Sequence, residues 1–321
     1  MLGKAWPKVA IILLNLNGYE DTRDCLTSLQ ALRYSDFEVM VVDNGSSDDS
    51  AARLKREFPG ITLLVSKENT GFTGGNNLAI EQALTNGATY VLLLNNDTRV
   101  DPQFVTELVQ TGESDLSIGI LGPKIFYASE PQRIWYAGGK VRFARGSCDQ
   151  AGKDTFEEDG KFSRTEDTGF VTGCAMMVKA AVFRKTGLLD TRLFMYWEDN
   201  DFCVRARRDG FRCVFVPSAR VWHKVSRTSA ANSAFTLFLS TRNQLIWIAR
   251  YVPFPLKPVA LAYTLFRKLV KAVLFIFKSR ASAAAIWAGI WAFLSGTYGP
   301  PRKLAITPAG GKMRAQVVVD G

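Results

Sequence analysis

The chain has 321 residues, 47% hydrophobic and 22% charged, which is enough for one large or two ordinary domains with a packed core and argues against a disordered polymer. Its five cysteines, at 25, 148, 174, 203 and 213, form no CxxC pair and sit in apolar stretches, so free thiols in a reducing compartment are expected; with a single histidine, a zinc site is disfavoured. The net charge of +10 lies at one end: from Arg250 onward eleven Lys or Arg face one acid, Asp320, while the first 249 residues are balanced, so a partner is expected for that end alone.

The opening apolar run, Val9 to Leu14, is six residues long, too short for a secretory core, and an active domain in the cytosol is expected. "KVAIILLN" reads as a strand, and "YEDTRDCLTSLQAL" as a helix with Cys25, Leu26, Leu29 and Leu32 along one face. "FEVMVVDNGSSDDS" is a strand running into turn formers, "SAARLKREF" a helix, and "ITLLVSKENTG" a short strand and loop. "TGGNNLAIEQALTNG" leads into a helix closed by Gly87, "TYVLLLNND" is a strand, and "DPQFVTELVQ" a helix with Pro102 near its first turn. This alternation predicts βαβ units and a mostly parallel sheet flanked by helices, an α/β fold.

From 118 to 172 the pattern is less regular. "IGILGPKIFY" and "RIWYAGGKVRF" read as strands, and "GSCDQAGKDTFEEDGKFSRTED" as a surface loop. "TGFVTGCAMMVKAAVFRKTG" is a strand running into a helix, "LLDTRLFMYWEDNDFCVRARRDG" sets acids at a helix start, and "FRCVFVPSARVWHKVS" is a last strand carrying the only His. Beyond about Phe235 the chain is rich in Trp, Phe, Leu and Ala and lacks acids as far as Asp320. Two or three helices lying in a membrane surface are expected there. A buried helical extension, or a span at Ala281–Tyr298, are the alternatives, and residues after Pro300 are expected to be loosely ordered.

The polar residues cluster at strand ends. Asp43 and Asp97 each follow an oily strand, and "NTGFTGGNN" (69–77) follows a third and opens a helix, without the GK[ST] of a Walker loop. One strand-end Asp is commonly a plain turn former. Three such features on one sheet edge, where open α/β folds bind ligands, point to a site. A carboxylate there suits Mg²⁺ or Mn²⁺ together with substrate phosphates, and Asp43 is placed to hydrogen-bond a nucleoside. Glu198, Asp199 and Asp201 crowd after the apolar "LFMYW"; as plain helix-start acids they would cap, but that setting also raises a carboxyl pKa and suits it to act as a base. His223 is expected at the metal or diphosphate.

Seven blocks in order, "VAIILLNLNGYEDTRDCLTSL", "VVDNGSSDDS", "ENTGFTGGNN", "LLLNNDTRVDP", "TGCAMMV", "MYWEDNDFCVRARRDG" and "VWHKVS", resemble the signature blocks of family 2 glycosyltransferases, nearest the bacterial rhamnosyltransferase-like branch. The resemblance spans about residues 8–228 and continues to Arg242-Asn243. It implies a GT-A fold over 1–234, with a donor half (8–117) and an acceptor half (118–228); the composition adds membrane-associating helices over 235–300 and a loosely ordered tail over 301–321. The resemblance also implies an inverting enzyme with a nucleotide-diphosphate sugar donor and Mg²⁺ or Mn²⁺.

Carried over by position, Asp43 contacts the nucleobase, and Asn15, Asn17, Asn69, Gly74, Gly75, Asn76 and Asn96 line the donor pocket. Asp97 and His223 hold the metal, with Asn-Asn-Asp standing where many relatives have Asp-x-Asp. Asp199, beside Glu198, is the general base, and Gly173, Cys174, Trp197 and Asp201 border the acceptor. The expected donor is dTDP-linked, rhamnose first, or UDP-linked. The expected acceptor is a lipid-linked saccharide at the inner face of the cell membrane, with the enzyme peripherally attached to an anionic surface. A polyprenyl-phosphate glycosyltransferase and a nucleotide-sugar-binding membrane scaffold are the rivals. Nucleic-acid binding is discounted, since the basic tail is greasy and carries no recognition motif.

Overall fold

The computed structural model describes residues 6–158, 160–225, 233–300, 304–309 and 312–317. Two compact units divide the chain. The first gathers residues up to Lys140, Asp149–Asp190 and Asp199–Val225; the second gathers Val141–Cys148, Thr191–Glu198 and residues from Ser226 on.

The first unit opens with the alternation the periodicity predicts: β1 (Val9–Asn15), α1 (Tyr19–Leu29), β2 (Phe37–Asn44), α2 (Ser50–Glu57), β3 (Thr62–Ser66), α3 (Gly71–Thr85) and β4 (Tyr90–Asn95). β1 and β4 are buried almost throughout, which is why they read as unbroken apolar runs. α1 buries Cys25, Leu26 and Leu29 and stops there, one turn short of the helix that Leu32 invites.

Then follow β5 (Thr98–Val100), α4 (Phe104–Ser114), β6 (Ile118–Tyr127), β7 (Glu130–Tyr136), β8 (Gly139–Arg142), β9 (Ser147–Gln150) and β10 (Glu166–Asp167), of which β8 and β9 straddle the division at Val141–Cys148. β11 (Ala175–Lys179), α5 (Ala180–Thr186), α6 (Glu198–Arg208) and β12 (Arg212–His223) complete it. Where one strand was expected over 133–143, Gly138 at φ +92° breaks the run into β7 and β8, since a positive φ does not fit a continuing strand.

The main sheet has strand order β10-β12-β6-β11-β4-β1-β2-β3, with β5 on β12 and β7 on β6. β3, β2, β1 and β4 are parallel, and so are β6 and β12. β11 enters antiparallel between β4 and β6, and β5, β7 and β10 also pair antiparallel, so the sheet is mixed where a mostly parallel one was expected. The apolar run of β11 fits a buried strand of either direction, so periodicity does not encode its sense. From β1 the chain builds outward to β2 and β3, and then returns to lay β4 on the other side. That reversal is the topological switch point, and its carboxyl edge is where such sheets bind ligands.

The second unit is built on α7 (Ala234–Tyr251), α8 (Leu256–Ile276) and α9 (Arg280–Leu294). Ser233 caps α7 by accepting the Thr236 amide at 3.2 Å, and Ser279 caps α9 from Ser282 at 3.3 Å. Leu237, Phe238, Leu239 and Leu245 of α7 pack with Ile286 and Ile290 of α9. Gly289 permits the approach: a Cβ there would lie 2.7 Å from the Phe238 carbonyl oxygen. No described helix is long and apolar enough to cross a membrane. β13 (Leu304–Ala309) and β14 (Lys312–Val317) pair as an antiparallel hairpin in the stretch expected to be loosely ordered; the rest of 301–321 lies outside the described residues.

Candidate active site

The carboxyl ends of β1, β2 and β4 lie side by side, Asn15 in register with Asp43, and Leu14 with Asn95. The polar residues that end these strands are joined by short bonds. Asn15 Nδ2 donates to Asp43 Oδ2 at 2.8 Å. The Ser46 amide donates to Asp43 Oδ1 at 3.0 Å and its hydroxyl to Oδ2 at 2.7 Å. Asp43 therefore closes the turn after β2, as strand-end aspartates commonly do. Three of the roughly four acceptor positions of a carboxylate are filled, leaving one on Oδ1. Asn17, at φ +50°, steadies the same turn by accepting the Ser47 amide at 2.8 Å.

The loop into α3 is tied to the end of β2. Asn44 Nδ2 donates to Asn69 Oδ1 at 3.1 Å and to the Gly71 carbonyl at 3.0 Å, while its Oδ1 accepts the Thr70 amide and hydroxyl. Gly75 lies against β1, where a Cβ would come 2.4 Å from Leu14 Cδ1, and Gly74 faces Thr70. Asn76 Nδ2 bonds back to the Phe72 carbonyl at 2.8 Å.

From Asn15 the chain of contacts runs on. Its Oδ1 accepts the Thr22 hydroxyl at 2.9 Å, and Thr22 Oγ1 accepts Asn96 Nδ2 at 2.8 Å, one residue from Asp97. β5 pairs with the end of β12, Thr98 opposite His223, which sets Asp97 Oδ1 3.1 Å from His223 Nε2. Both residues are buried. The Trp135 ring packs edge-on against the imidazole, with centroids 4.8 Å apart, and His223 Nδ1 has no hydrogen-bond partner among the described residues. Burial works against a charged ring, but Cys174 and Asp97 outweigh it and raise His223 to about 10.

Asn95 links this cluster to the next. Its amide donates to the Cys174 carbonyl at 2.8 Å, and the neighbouring Gly173 amide donates to Asp199 Oδ2 at 3.1 Å. Asp199 Oδ1 accepts the amide and side chain of Asn200, both at 2.7 Å. Burial raises the Asp199 carboxyl above the ordinary carboxylate range, and these hydrogen bonds offset only part of the shift. A Cβ on Gly173 would lie 3.1 Å from the Phe72 ring and 3.7 Å from Asp199 Cβ, so the first turn of α3 and the carboxylate face one another across this glycine.

The first unit therefore brings together Asn15, Asn17, Asp43, Asn69, Gly74, Gly75, Asn76, Asn96, Asp97, Gly173, Cys174, Asp199 and His223, remote as they are along the chain. Asp201 belongs to a different arrangement: it is buried and ion-paired with Arg205 Nε at 2.9 Å, while the same guanidinium donates to the Thr186 and Leu188 carbonyls. Thr22, Asn44 and Phe72 emerge from the fold alone; their place within the apolar spacing of helices or at a loop start gave no separate signal.

In the second unit, Glu198 is buried at the head of α6, and Trp197 packs on Trp247 with centroids 5.5 Å apart. Phe194, Tyr196 and Trp197 all take positive φ, at 64°, 69° and 72°, which side-chain-bearing residues rarely adopt. A clamp holds them. Asn243 Nδ2 reaches the carbonyls of Leu193, Met195 and Tyr196 at 2.8–2.9 Å, and fully buried Arg242 donates to those of Leu193, Arg192 and Gly299. Burial lowers Arg242 to about 10.

The sequence and the fold resemble those of known proteins. The chain is 26% identical over 242 residues to a low-salt glycan biosynthesis hexosyltransferase, Agl10, of Haloferax volcanii, covering 74% of each protein. It is 25% identical over 240 residues to an N-acetylglucosaminyl-diphospho-decaprenol L-rhamnosyltransferase of Mycobacterium tuberculosis, covering 70% of this chain and 78% of that one. A mannosyltransferase of Pyrobaculum calidifontis, solved with GDP-Man and Mn²⁺, shares the fold at a TM-score of 0.56 and 15% identity over 91% of each chain. Residues 10–187, more than half the chain, match the family described as glycosyl transferase family 2, and the chain belongs to that family as a rhamnosyltransferase-like glycosyltransferase.

Proposed function

We propose that the protein transfers a sugar, rhamnose in the first instance, from a dTDP- or UDP-linked donor to a hydroxyl of a lipid-linked saccharide, with inversion at the anomeric carbon. The observation that carries this reading is the run of short contacts from Asp43 through Asn15, Thr22 and Asn96 to Asp97 and His223, continued through Asn95 and Cys174 to Gly173 and Asp199. The activity recorded in the name of the mycobacterial relative supports the choice of sugar and of a lipid-linked acceptor.

The residues fit Mg²⁺ or Mn²⁺ held jointly with the donor. Asp97 Oδ1 and His223 Nε2, 3.1 Å apart, are the atoms that would face the ion, and the imidazole would give up its proton to ligate it. No cluster of three or more His, Cys, Asp or Glu able to hold a metal occurs among the described residues, so the remaining ligands would be diphosphate oxygens and water, as is usual for Mg²⁺. When bound, the ion supplies positive charge against the departing diphosphate.

This chain's own residues do the rest. The Asn44–Asn69–Gly71 bonds hold the loop at the head of α3, where amides favour phosphate. Asp43 offers its remaining acceptor position to the nucleoside. Asp199 takes the proton of the attacking hydroxyl, whose own pKa is far too high for it to ionise unaided, and a raised carboxyl pKa brings the base nearer that task. A single displacement needs no covalent sugar–enzyme bond.

Product analysis with dTDP-rhamnose and other nucleotide sugars, offering lipid-linked saccharide against lipid phosphate as acceptor, tests the reading. Transfer to the saccharide hydroxyl supports it. Transfer to lipid phosphate alone favours a polyprenyl-phosphate glycosyltransferase, and donor binding with no transfer to any acceptor favours a membrane scaffold.

A further inference from the structure

α8 carries an unusual combination on its surface. Phe266, Val273, Leu274 and Phe277 are exposed at 66%, 52%, 61% and 87%, a density of bare apolar side chains that water-soluble surfaces avoid. Among them stand Arg267, Lys268 and Lys271, which line an open cavity of about 330 Å³ together with Gln244, Thr264 and Leu274. The floor of the cavity is fixed: Gln244 donates to the Gly146 carbonyl at 2.8 Å and Thr264 to that of Arg145.

Among the described residues, no acid is among the charges acting on Lys268 or Lys271. The sequence holds no acid from residue 210 to 319, and the charges acting on Lys268 are those of Lys271 and Arg267, both of its own sign. Lys268 is half-buried, and desolvation with those neighbours lowers it to about 8. Arg267 and Lys271 lie over the Tyr263 and Phe275 rings, which stabilises the cations but neutralises neither. Three like charges gathered at an open, partly buried cavity repel one another, and an anion between them would relieve that repulsion.

We propose that this cavity is a phosphate-binding site for the headgroup of an anionic membrane lipid. Lys268, Lys271 and Arg267 meet the phosphate, and Phe266, Val270 and Leu274 at the rim enter the acyl boundary. A free phosphate ion would satisfy the cations, but it would leave the apolar rim in water; a lipid satisfies both. α8 then lies along the membrane, in keeping with the absence of any described helix able to cross one. The inference is independent of the sugar-transfer reading, since it uses none of the residues at the sheet edge.

The test is acetylation of the full-length protein, read residue by residue by mass spectrometry, with vesicles of phosphatidylcholine alone, vesicles also containing phosphatidylglycerol, or millimolar inorganic phosphate. Anionic vesicles should suppress modification of Lys268 and Lys271 several-fold more than that of Lys257, which lies outside the cavity. Equal suppression at all three lysines would mean diffuse charge attraction and would overturn the site. Equal protection by neutral vesicles, or by inorganic phosphate alone, would overturn the choice of an anionic lipid. Vesicle flotation gives a second arm. A surface Lys supplies about fivefold in affinity for an anionic bilayer, so Lys278→Ala should lose about that much and Lys268→Ala about tenfold more. Equal losses would contradict the proposal.

Discussion

At the scale of single residues, Asp199 and Asp97 separate chemistry from binding. Asp199→Asn keeps the side-chain shape but cannot take a proton, and it turns one of the two accepting oxygens into a donor. Turnover should fall by about 10²–10⁴-fold with donor affinity retained, measured by product formation beside calorimetry. The raised carboxyl also sets a pH dependence. In the wild type, activity should decline on acidification from a higher pH than an ordinary aspartate would allow. Ionised Asp199 works against the fold, beginning near the unfolded value of about 3.9 and reaching its full effect above the raised folded value. Relative to wild type, Asp199→Asn should therefore gain melting temperature as the pH rises through that window, and lose the gain as the pH falls below the unfolded value. A melting difference that is independent of pH would place the carboxylate elsewhere than in a buried setting.

At the scale of elements, two devices fix backbone beside candidate residues. The turn after β2 packs so closely on the loop before α3 that a Cβ on Gly45, already at φ +81°, would lie 2.7–2.9 Å from the Glu68 and Asn69 backbone. Gly45→Ala should lower stability by about 1–3 kcal/mol, seen in denaturant titration, because neither the φ nor the backbone contact can relax cheaply. The second device is the Asn243 clamp on Leu193, Met195 and Tyr196, within the segment that leads into Glu198 and Asp199. Asn243→Ala frees three carbonyls and the strained backbone between them. It should cost about 1–3 kcal/mol of stability and reduce kcat more than donor KM. An unchanged kcat in a stably folded variant would mean that the clamp serves packing alone.

At the scale of the whole molecule, the strand-end residues were legible because each closes an oily run: Asn15, Asp43 and Asp97 announce themselves by where hydrophobicity stops. His223 was legible by its solitude and Asp199 by the apolar "LFMYW" before it. What pairing decides was not legible. Nothing local told β11 to enter antiparallel, placed Phe72 beside Gly173, or assigned 141–148 and 191–198 to the helical unit, because these depend on contacts between segments far apart in the chain. The charge asymmetry was plain in the sequence, and it predicts that attachment to anionic vesicles weakens as salt rises, checked by flotation across ionic strengths.

The claim that Asp97 and His223 share one cation with the donor diphosphate is tested most directly by calorimetry of dTDP and UDP binding, with and without Mn²⁺, to wild type and Asp97→Ala. The account predicts that Mn²⁺ strengthens binding of the cognate nucleotide to wild type, and that Asp97→Ala loses that gain by about 10–100-fold. Binding to Asp97→Ala that matches wild type in the presence of Mn²⁺ would contradict it.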